Sequence, residues 1–321
     1  MDTITAHPDT VFIPPANTRK VIYAVVALAC LLPVVTPPIA LFAGIVLAQF
    51  AENPEPELTH KATNWLLKAA VVGLGFGMNI YSTAQAGREG LIFTVASITG
   101  VLLVGLLAGK LFKTDKKTSL LITIGTAICG GSAIAAVSPV IAADKRQVSV
   151  ALGTVFVLNA AALFIFPAVG QALHLSQAKF GLWCAIAIHD TSSVVGAAAK
   201  YGEQALQVAT AVKLARALWI IPVAFGAALL YGGGNKRVKL PWFIALFVLA
   251  MLVNTFLPFV KPLVPYLTAA SKAGLTLTLF LIGTSLSFKA VKQVGIKPLL
   301  QGTMLWLLVS GVSLWAIVNF A

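Results

Sequence analysis

The stretch Ile128-Cys129-Gly130-Gly131-Ser132-Ala133-Ile134-Ala135-Ala136 and its echo Ile188-His189-Asp190-Thr191-Ser192-Ser193-Val194-Val195-Gly196 decide how this chain is read. Each lies inside an otherwise apolar run, 119 to 143 and 178 to 199, and interrupts it with residues that prefer helix ends to helix interiors. Downstream of them, Ala162-Leu163-Phe164-Ile165-Phe166-Pro167 matches Ala217-Leu218-Trp219-Ile220-Ile221-Pro222. Two interrupted elements, each followed by a proline-marked helix, are the sequence pointer to a repeat-built membrane transporter with its site where the interruptions meet.

Around these stretches the chain is apolar almost throughout. Hydrophobic residues make up 59% of the 321 and Asp, Glu, Lys and Arg only 10%. That is too little charge to cover a soluble domain of this length, so lipid is the main solvent. Apolar runs cover 21 to 36, 38 to 50, 62 to 80, 90 to 111, 119 to 143, 148 to 172, 178 to 199, 205 to 231, 240 to 257, 267 to 287 and 297 to 319. The composition predicts an all-α polytopic membrane protein of about 9 to 11 transmembrane helices, in two inverted repeats with interrupted or re-entrant helices. Residues 1–20 read as a polar cytoplasmic tail and 21–321 as a single transmembrane domain. Ala27-Leu28-Ala29 before Cys30 is a poor lipoprotein box, so the first apolar run reads as a retained helix.

The formal net charge is +13, but the basic residues are scattered through short loops and helix ends, which excludes a nucleic-acid surface. They read as topology signals. Lys110, Lys113, Lys116 and Lys117, then Lys236, Arg237 and Lys239, then Lys289, Lys292 and Lys297 mark one cytoplasmic side. Counting runs from them predicts an N-terminus inside and a C-terminus outside. Asp144-Lys145-Arg146 disagrees if 119 to 143 crosses the membrane and agrees if that run dips in and returns. Cys30, Cys129 and Cys184 lie in separate apolar runs with no metal or disulfide spacing.

Ionisable side chains within membrane segments are costly and are therefore the functional candidates. Asp190 is the one acid deep inside an apolar run, beside His189 and the hydroxyls of Thr191, Ser192 and Ser193. It can hold a proton or a sodium ion, or simply cap the half-helix that follows. Lys213 and Arg216, three apart, share one helix face and must point into the protein. They either clamp an anion or neutralise Asp190. Gly125, Gly130, Gly131 and Ser132 could offer backbone amides to an oxyanion. Lys68 and Lys272 read as snorkelling cations near an interface, and Gly73-Leu74-Gly75-Phe76-Gly77 as close helix packing. No nucleophile elbow accompanies His189-Asp190, so no enzyme is expected.

The passage Gly125 to Pro139, His189-Asp190, and Lys213-Leu214-Ala215-Arg216 resembles the YeiH-type sulfate exporter family over nearly the whole chain beyond the polar tail. The resemblance implies a bacterial inner-membrane protein related in fold to sodium/proton antiporters and bile-acid symporters, with crossed, interrupted helices. The reading that follows is a secondary active transporter of a small inorganic or organic anion, of the sulfate or sulfonate class, working by alternating access. Substrate contacts fall to Gly130, Gly131, Ser132, Ser192, Lys213 and Arg216, and ion or proton coupling to Asp190 and His189. There are no catalytic residues, no metal and no cofactor beyond H+ or Na+ as coupling ion. The partners are the lipid bilayer and a small anionic solute, with no nucleic acid, and a homodimer is compatible. The alternatives are a sodium- or proton-coupled cation antiporter in which Asp190 binds the ion, and a channel or non-transporting scaffold or sensor.

Overall fold

A computed structural model describes residues 15–50, 53–231, 242–286, 292 and 294–321. Lys236, Arg237, Lys239 and Lys289, used above to assign sides, lie outside the described residues, as does most of the polar tail. Backbone N–H and C=O groups in hydrocarbon must be satisfied within their own segment, so the apolar runs fold as helices. In order these are α1 (Ala16–Ala29), α2 (Pro37–Phe50), α3 (Pro56–Gly75), α4 (Ile80–Leu111), α5 (Lys116–Ala127), α6 (Gly131–Val137), α7 (Lys145–Ala172), α8 (Gln177–Ala187) and α9 (Thr191–Tyr201). They continue as α10 (Glu203–Ala217), α11 (Ile220–Tyr231), α12 (Trp242–Phe256), a 3-10 turn (Pro258–Leu263), α13 (Val264–Gly283) and α14 (Ile296–Phe320). Five stretches are individually long and apolar enough to cross a membrane: Gly90–Leu111, Lys145–Ala172, Glu203–Leu230, Pro258–Gly283 and Ile296–Phe320.

The run from 119 to 143 does not cross; it goes in and comes back. At its foot, Lys117 Nζ donates to the Ala142 carbonyl at 2.7 Å. The Asp115 carboxylate, which caps α5 by accepting from Thr118 N at 3.0 Å, also accepts from Gln147 Nε2 at 2.9 Å. Gln147 in turn completes a capping box with Asp144 at the start of α7. The beginning of α5 and the beginning of α7 therefore share one face of the bundle. This places Asp144-Lys145-Arg146 beside Lys116 and Lys117 and removes the one conflict in the charge pattern.

The run from 178 to 199 is also a hairpin and not the interrupted crossing helix that the resemblance implied. Tyr201, at the end of α9, stacks on Phe180 near the start of α8, with ring centroids 3.7 Å apart. Its hydroxyl donates to the Leu175 carbonyl at 2.7 Å, and the start of α10 donates Gln204 N to Gln177 Oε1 at 3.0 Å. Eleven residues of helix advance about 16 Å, half of a ~30 Å hydrocarbon layer, so each arm of this hairpin ends mid-bundle.

Between the two hairpins α7 crosses once, so they enter from opposite faces. An odd number of crossings inverts the second hairpin, and each is followed by a crossing helix that carries a proline, Pro167 in α7 and Pro222 in the α10–α11 span. The inverted repeat legible in the sequence is this hairpin-plus-helix unit. Beside the five spans named above, the described residues hold the shorter apolar helices α2 and α12 and the helices α1 and α3.

The helices fall into two groups. In one, α2, α3, α12 and α13 pack on each other, brought close by small residues. A Cβ at Gly44 would meet the Phe280 carbonyl, one at Gly73 the Ser271 hydroxyl, and one at Gly77 the Thr268 side chain. This is the packing role read for the Gly73 to Gly77 stretch. In the other group α4, α7, α10 and α14 surround the two hairpins. Gly196 of α9 touches the first group at Leu279 and Pro37.

Two outcomes follow. In a background lacking the three cysteines, Lys117→Cys and Arg146→Cys should react with a membrane-impermeant maleimide from the same side; reaction from opposite sides would overturn the first hairpin. The second concerns acid. Burial works to raise the Asp115 carboxyl, but the bonds from Thr118 and Gln147 prevail and hold it below the ordinary carboxylate value. A group held low in the folded state contributes stability above its unfolded value near ~3.9 and loses it as pH falls through the folded value. The thermal midpoint advantage of wild type over Asp115→Asn should therefore shrink as pH is lowered from about 6 to about 3.

Candidate functional site

The tips of the two hairpins touch. Helix α5 stops because Ile128 leaves helical geometry (φ −116°, ψ −86°) and Gly130 takes φ 63°, ψ −125°, a region that only glycine enters without strain. The Gly130 N–H turns back to the Gly125 carbonyl at 2.8 Å. A Cβ on Gly130 would stand 3.3 Å from both Asp190 N and the His189 carbonyl carbon. The glycine is thus needed twice, for its backbone angle and for the close approach of the other tip.

At the second tip, Ile188 is extended (φ −87°, ψ 129°), which ends α8, and Asp190 caps α9. The Asp190 carboxylate accepts from Ser192 N at 3.1 Å and from the Ser192 hydroxyl. Asp190 therefore caps α9, and Ser192 supplies the N–H and the hydroxyl that its carboxylate accepts from. Asn159 of α7 anchors the tip from the side: its Oδ1 accepts from His189 N at 3.1 Å and from Asp190 N at 3.3 Å.

Two half-helices, α5 and α8, end in the middle of the bundle with unpaired carbonyls and the negative end of their dipoles. Lys213 and Arg216 of α10 answer both. Lys213 Nζ donates to the carbonyls of Ile188 at 2.7 Å, Ala185 at 3.3 Å and Ile128 at 3.3 Å. Arg216 donates from Nη2 to the Ala127 carbonyl at 2.5 Å, from Nε to Ile128 at 3.5 Å and from Nη1 to Ser97 Oγ at 2.8 Å. Both side chains are 0% exposed. Neither forms an ion pair with Asp190; among the described residues the pairs are the exposed Lys20–Glu55 and Lys272–Glu203. Lys213 spends its three N–H groups on carbonyls, while three of Arg216's five are committed.

Of the residues singled out from the sequence, Gly130, His189, Asp190, Ser192, Lys213 and Arg216 meet at the two tips. A Cβ on Gly131 would face Leu152 and Phe156 of α7, and Ser132 is exposed on the flank of α6. Lys272 pairs with Glu203 at the surface, and Lys68 Nζ lies 5.9 Å from the Trp65 ring centroid and 6.0 Å from that of Trp242. Asn159 and Ser97 were missed. A lone amide at the centre of Val157-Leu158-Asn159-Ala160-Ala161 was the available signal for the first; Ser97 carries none.

A family model described as Conserved hypothetical protein 698 matches residues 21–302. The chain belongs to this family. Its relatives carry the name UPF0324 membrane protein, and the family is the YeiH type that the motifs resembled. One from Bacteroides thetaiotaomicron is 53% identical over 86% of this chain and 84% of its own length. One from Bdellovibrio bacteriovorus is 49% identical over 93% and 94%, and one from Photobacterium profundum 47% over 94% and 92%. No solved structure matches the chain. Matching relatives over most of their length are membrane proteins, in line with a multi-pass protein here.

Removing the Lys213 ammonium strands carbonyls from both hairpins, each costing about 1–3 kcal/mol when buried. Lys213→Met should lower the apparent unfolding midpoint in detergent by several degrees, corresponding to about 3 kcal/mol or more. An unchanged midpoint would show that the tips do not depend on it.

Proposed function

We propose that the protein is a secondary active transporter of a small anion, with its site at the meeting point of the hairpin tips. One observation carries the reading: opposed hairpins, one from each face, bring a buried Lys213, Arg216 and Asp190 together, leaving a formal charge of +1 in a dry centre. Such a centre attracts an anion and repels a cation, which disfavours the cation antiporter. A channel needs no opposed half-spans closed tip to tip, and a scaffold needs no buried charge.

Arg216 is the anion contact in this reading, through the guanidinium N–H groups not spent on carbonyls, with a fork suited to sulfate, sulfite or a sulfonate. Lys213 holds the tips together. Asp190 and His189 handle the coupling proton or sodium. Alternating access is movement of the hairpin group against the α2–α3–α12–α13 group, which the hairpins meet chiefly along α9. The basic face with Lys110, Lys113, Lys116, Lys117, Lys145 and Arg146 is cytoplasmic by the positive-inside rule, which puts the N-terminus inside and the C-terminus outside a bacterial inner membrane.

Purified protein in liposomes, offered sulfate, sulfite, methanesulfonate and small carboxylates under an imposed pH or sodium gradient, should accumulate at least one of them. Arg216→Ala should reduce uptake by about a hundredfold or more, and Asp190→Asn should uncouple it from the gradient. Folded protein that moves none of these anions would refute the transporter reading; full activity in both variants would refute the site.

A further inference from the structure

The centre of the bundle holds more polar groups than its own contacts satisfy. Asn159 is 3% exposed and His189 is 0% exposed, yet Asn159 Nδ2 and both ring nitrogens of His189 have no hydrogen-bond partner. Such groups cost about 1–3 kcal/mol each when left alone, and buried polar groups in folded proteins are almost always paired. The orientation of the Asn159 amide is fixed by chemistry: both of its neighbours at Oδ1 are backbone donors, so the oxygen must face them and the NH2 must face away. Two N–H donors are thereby fixed in place beside the second tip, supplied by a helix other than the one that carries Lys213 and Arg216.

We infer that Asn159 is a substrate-reading residue: its carbonyl holds the His189-Asp190 tip while its NH2 donates to an oxygen of the transported anion. This rests on the transporter reading above and extends it. The chemistry selects an oxyanion that offers more than one acceptor, because Arg216 and the Asn159 amide approach from α10 and α7 respectively. It also links binding to movement, since the one amide bonds the ligand and the hairpin tip at once. A neutral amide is suited to this place, for a second buried cation would have no carbonyl left to neutralise it.

The test uses Asn159→Asp, which keeps an oxygen for the two backbone N–H groups and removes the donor, with Asn159→Ser as a second variant. The probes are sulfate, sulfite and methanesulfonate, titrated into detergent-purified protein at constant ionic strength set by gluconate, with the thermal unfolding midpoint as readout. At least one probe should raise the wild-type midpoint. Both variants should retain a cooperative transition while the concentration for half-maximal stabilisation rises about tenfold or more, and in liposomes the half-saturating concentration should rise with it. A variant that folds and responds like wild type overturns the inference and leaves the transporter reading standing, as would be the case if the NH2 met only a buried water. Loss of folding in both variants assigns Asn159 to structure alone and overturns it as well. A wild type that responds to none of the probes and transports none of them overturns this inference together with the reading it rests on.

Discussion

A helix that stops in the middle of a membrane protein leaves its last carbonyls with nothing to accept from, and water is not there to help. This chain does so twice, at Ala127–Ile128 and at Ala185–Ile188, and the rest of the architecture is arranged around closing those ends. Lys213 and Arg216 close them. Two cations in a dry interior would be prohibitive alone, but here each sits at the negative end of a half-helix with carbonyls as ligands. Hairpins and cations justify each other: remove either and the other is left buried and unpaired. The position of α10 follows, since it must run parallel to α8 and close to it, and Gly181 permits this by letting the Ala205 carbonyl approach to where a Cβ would be 2.6 Å away.

The two tips are related by the inverted repeat but are not chemically equal. The first is Cys129-Gly130, with no side-chain cap on α6; the second is His189-Asp190, whose carboxylate caps α9 and takes the Ser192 hydroxyl as well. Glycine in the first tip makes room for the second. The one acid in this centre therefore sits on the hairpin that enters from the face opposite the Asp115 foot, and it is partly spent on its own helix terminus. Replacing that carboxylate by a neutral side chain weakens the α9 terminus at the same time as it changes the charge of the site.

What could be read in the sequence was what depends on local pattern. The apolar runs gave the membrane class, the breaks at Gly130 and Asp190 gave the pair of special elements, and Lys213 with Arg216 were visible as cations that a membrane helix has no reason to carry without use. Whether residues 119 to 143 cross or return depends on Lys117 finding Ala142 and Asp115 finding Gln147, contacts between segments that no periodicity encodes; only the misplaced Asp144-Lys145-Arg146 hinted at them. Likewise the partners of Lys213 and Arg216 are backbone carbonyls, which every residue has, so sequence offers no preference between them and a carboxylate. Asn159 was overlooked because a single amide does not disturb an apolar run, though an amide at mid-span is itself unusual.

The division into two helix groups constrains how any movement can proceed. The first group is fastened by backbone-close contacts at Gly44, Gly283, Gly73 and Gly75, which a rigid unit tolerates and a flexing one does not. The hairpin group is fastened at its core by the α10 cations and at its rim by Gln301 of α14, whose Nε2 donates to Ser119 Oγ at 2.8 Å. Between the groups the contact along α9 is made by small and apolar side chains, with Gly196 against Leu279 and Pro37. The two groups are also tied at the rim, by the Lys272–Glu203 pair at 2.7 Å and by Ile80 N donating to Thr255 Oγ1 at 3.1 Å. Rigid-body movement of one unit against the other, which the proposed function requires, would break these two rim contacts and slide along the half-helix that Asp190 caps.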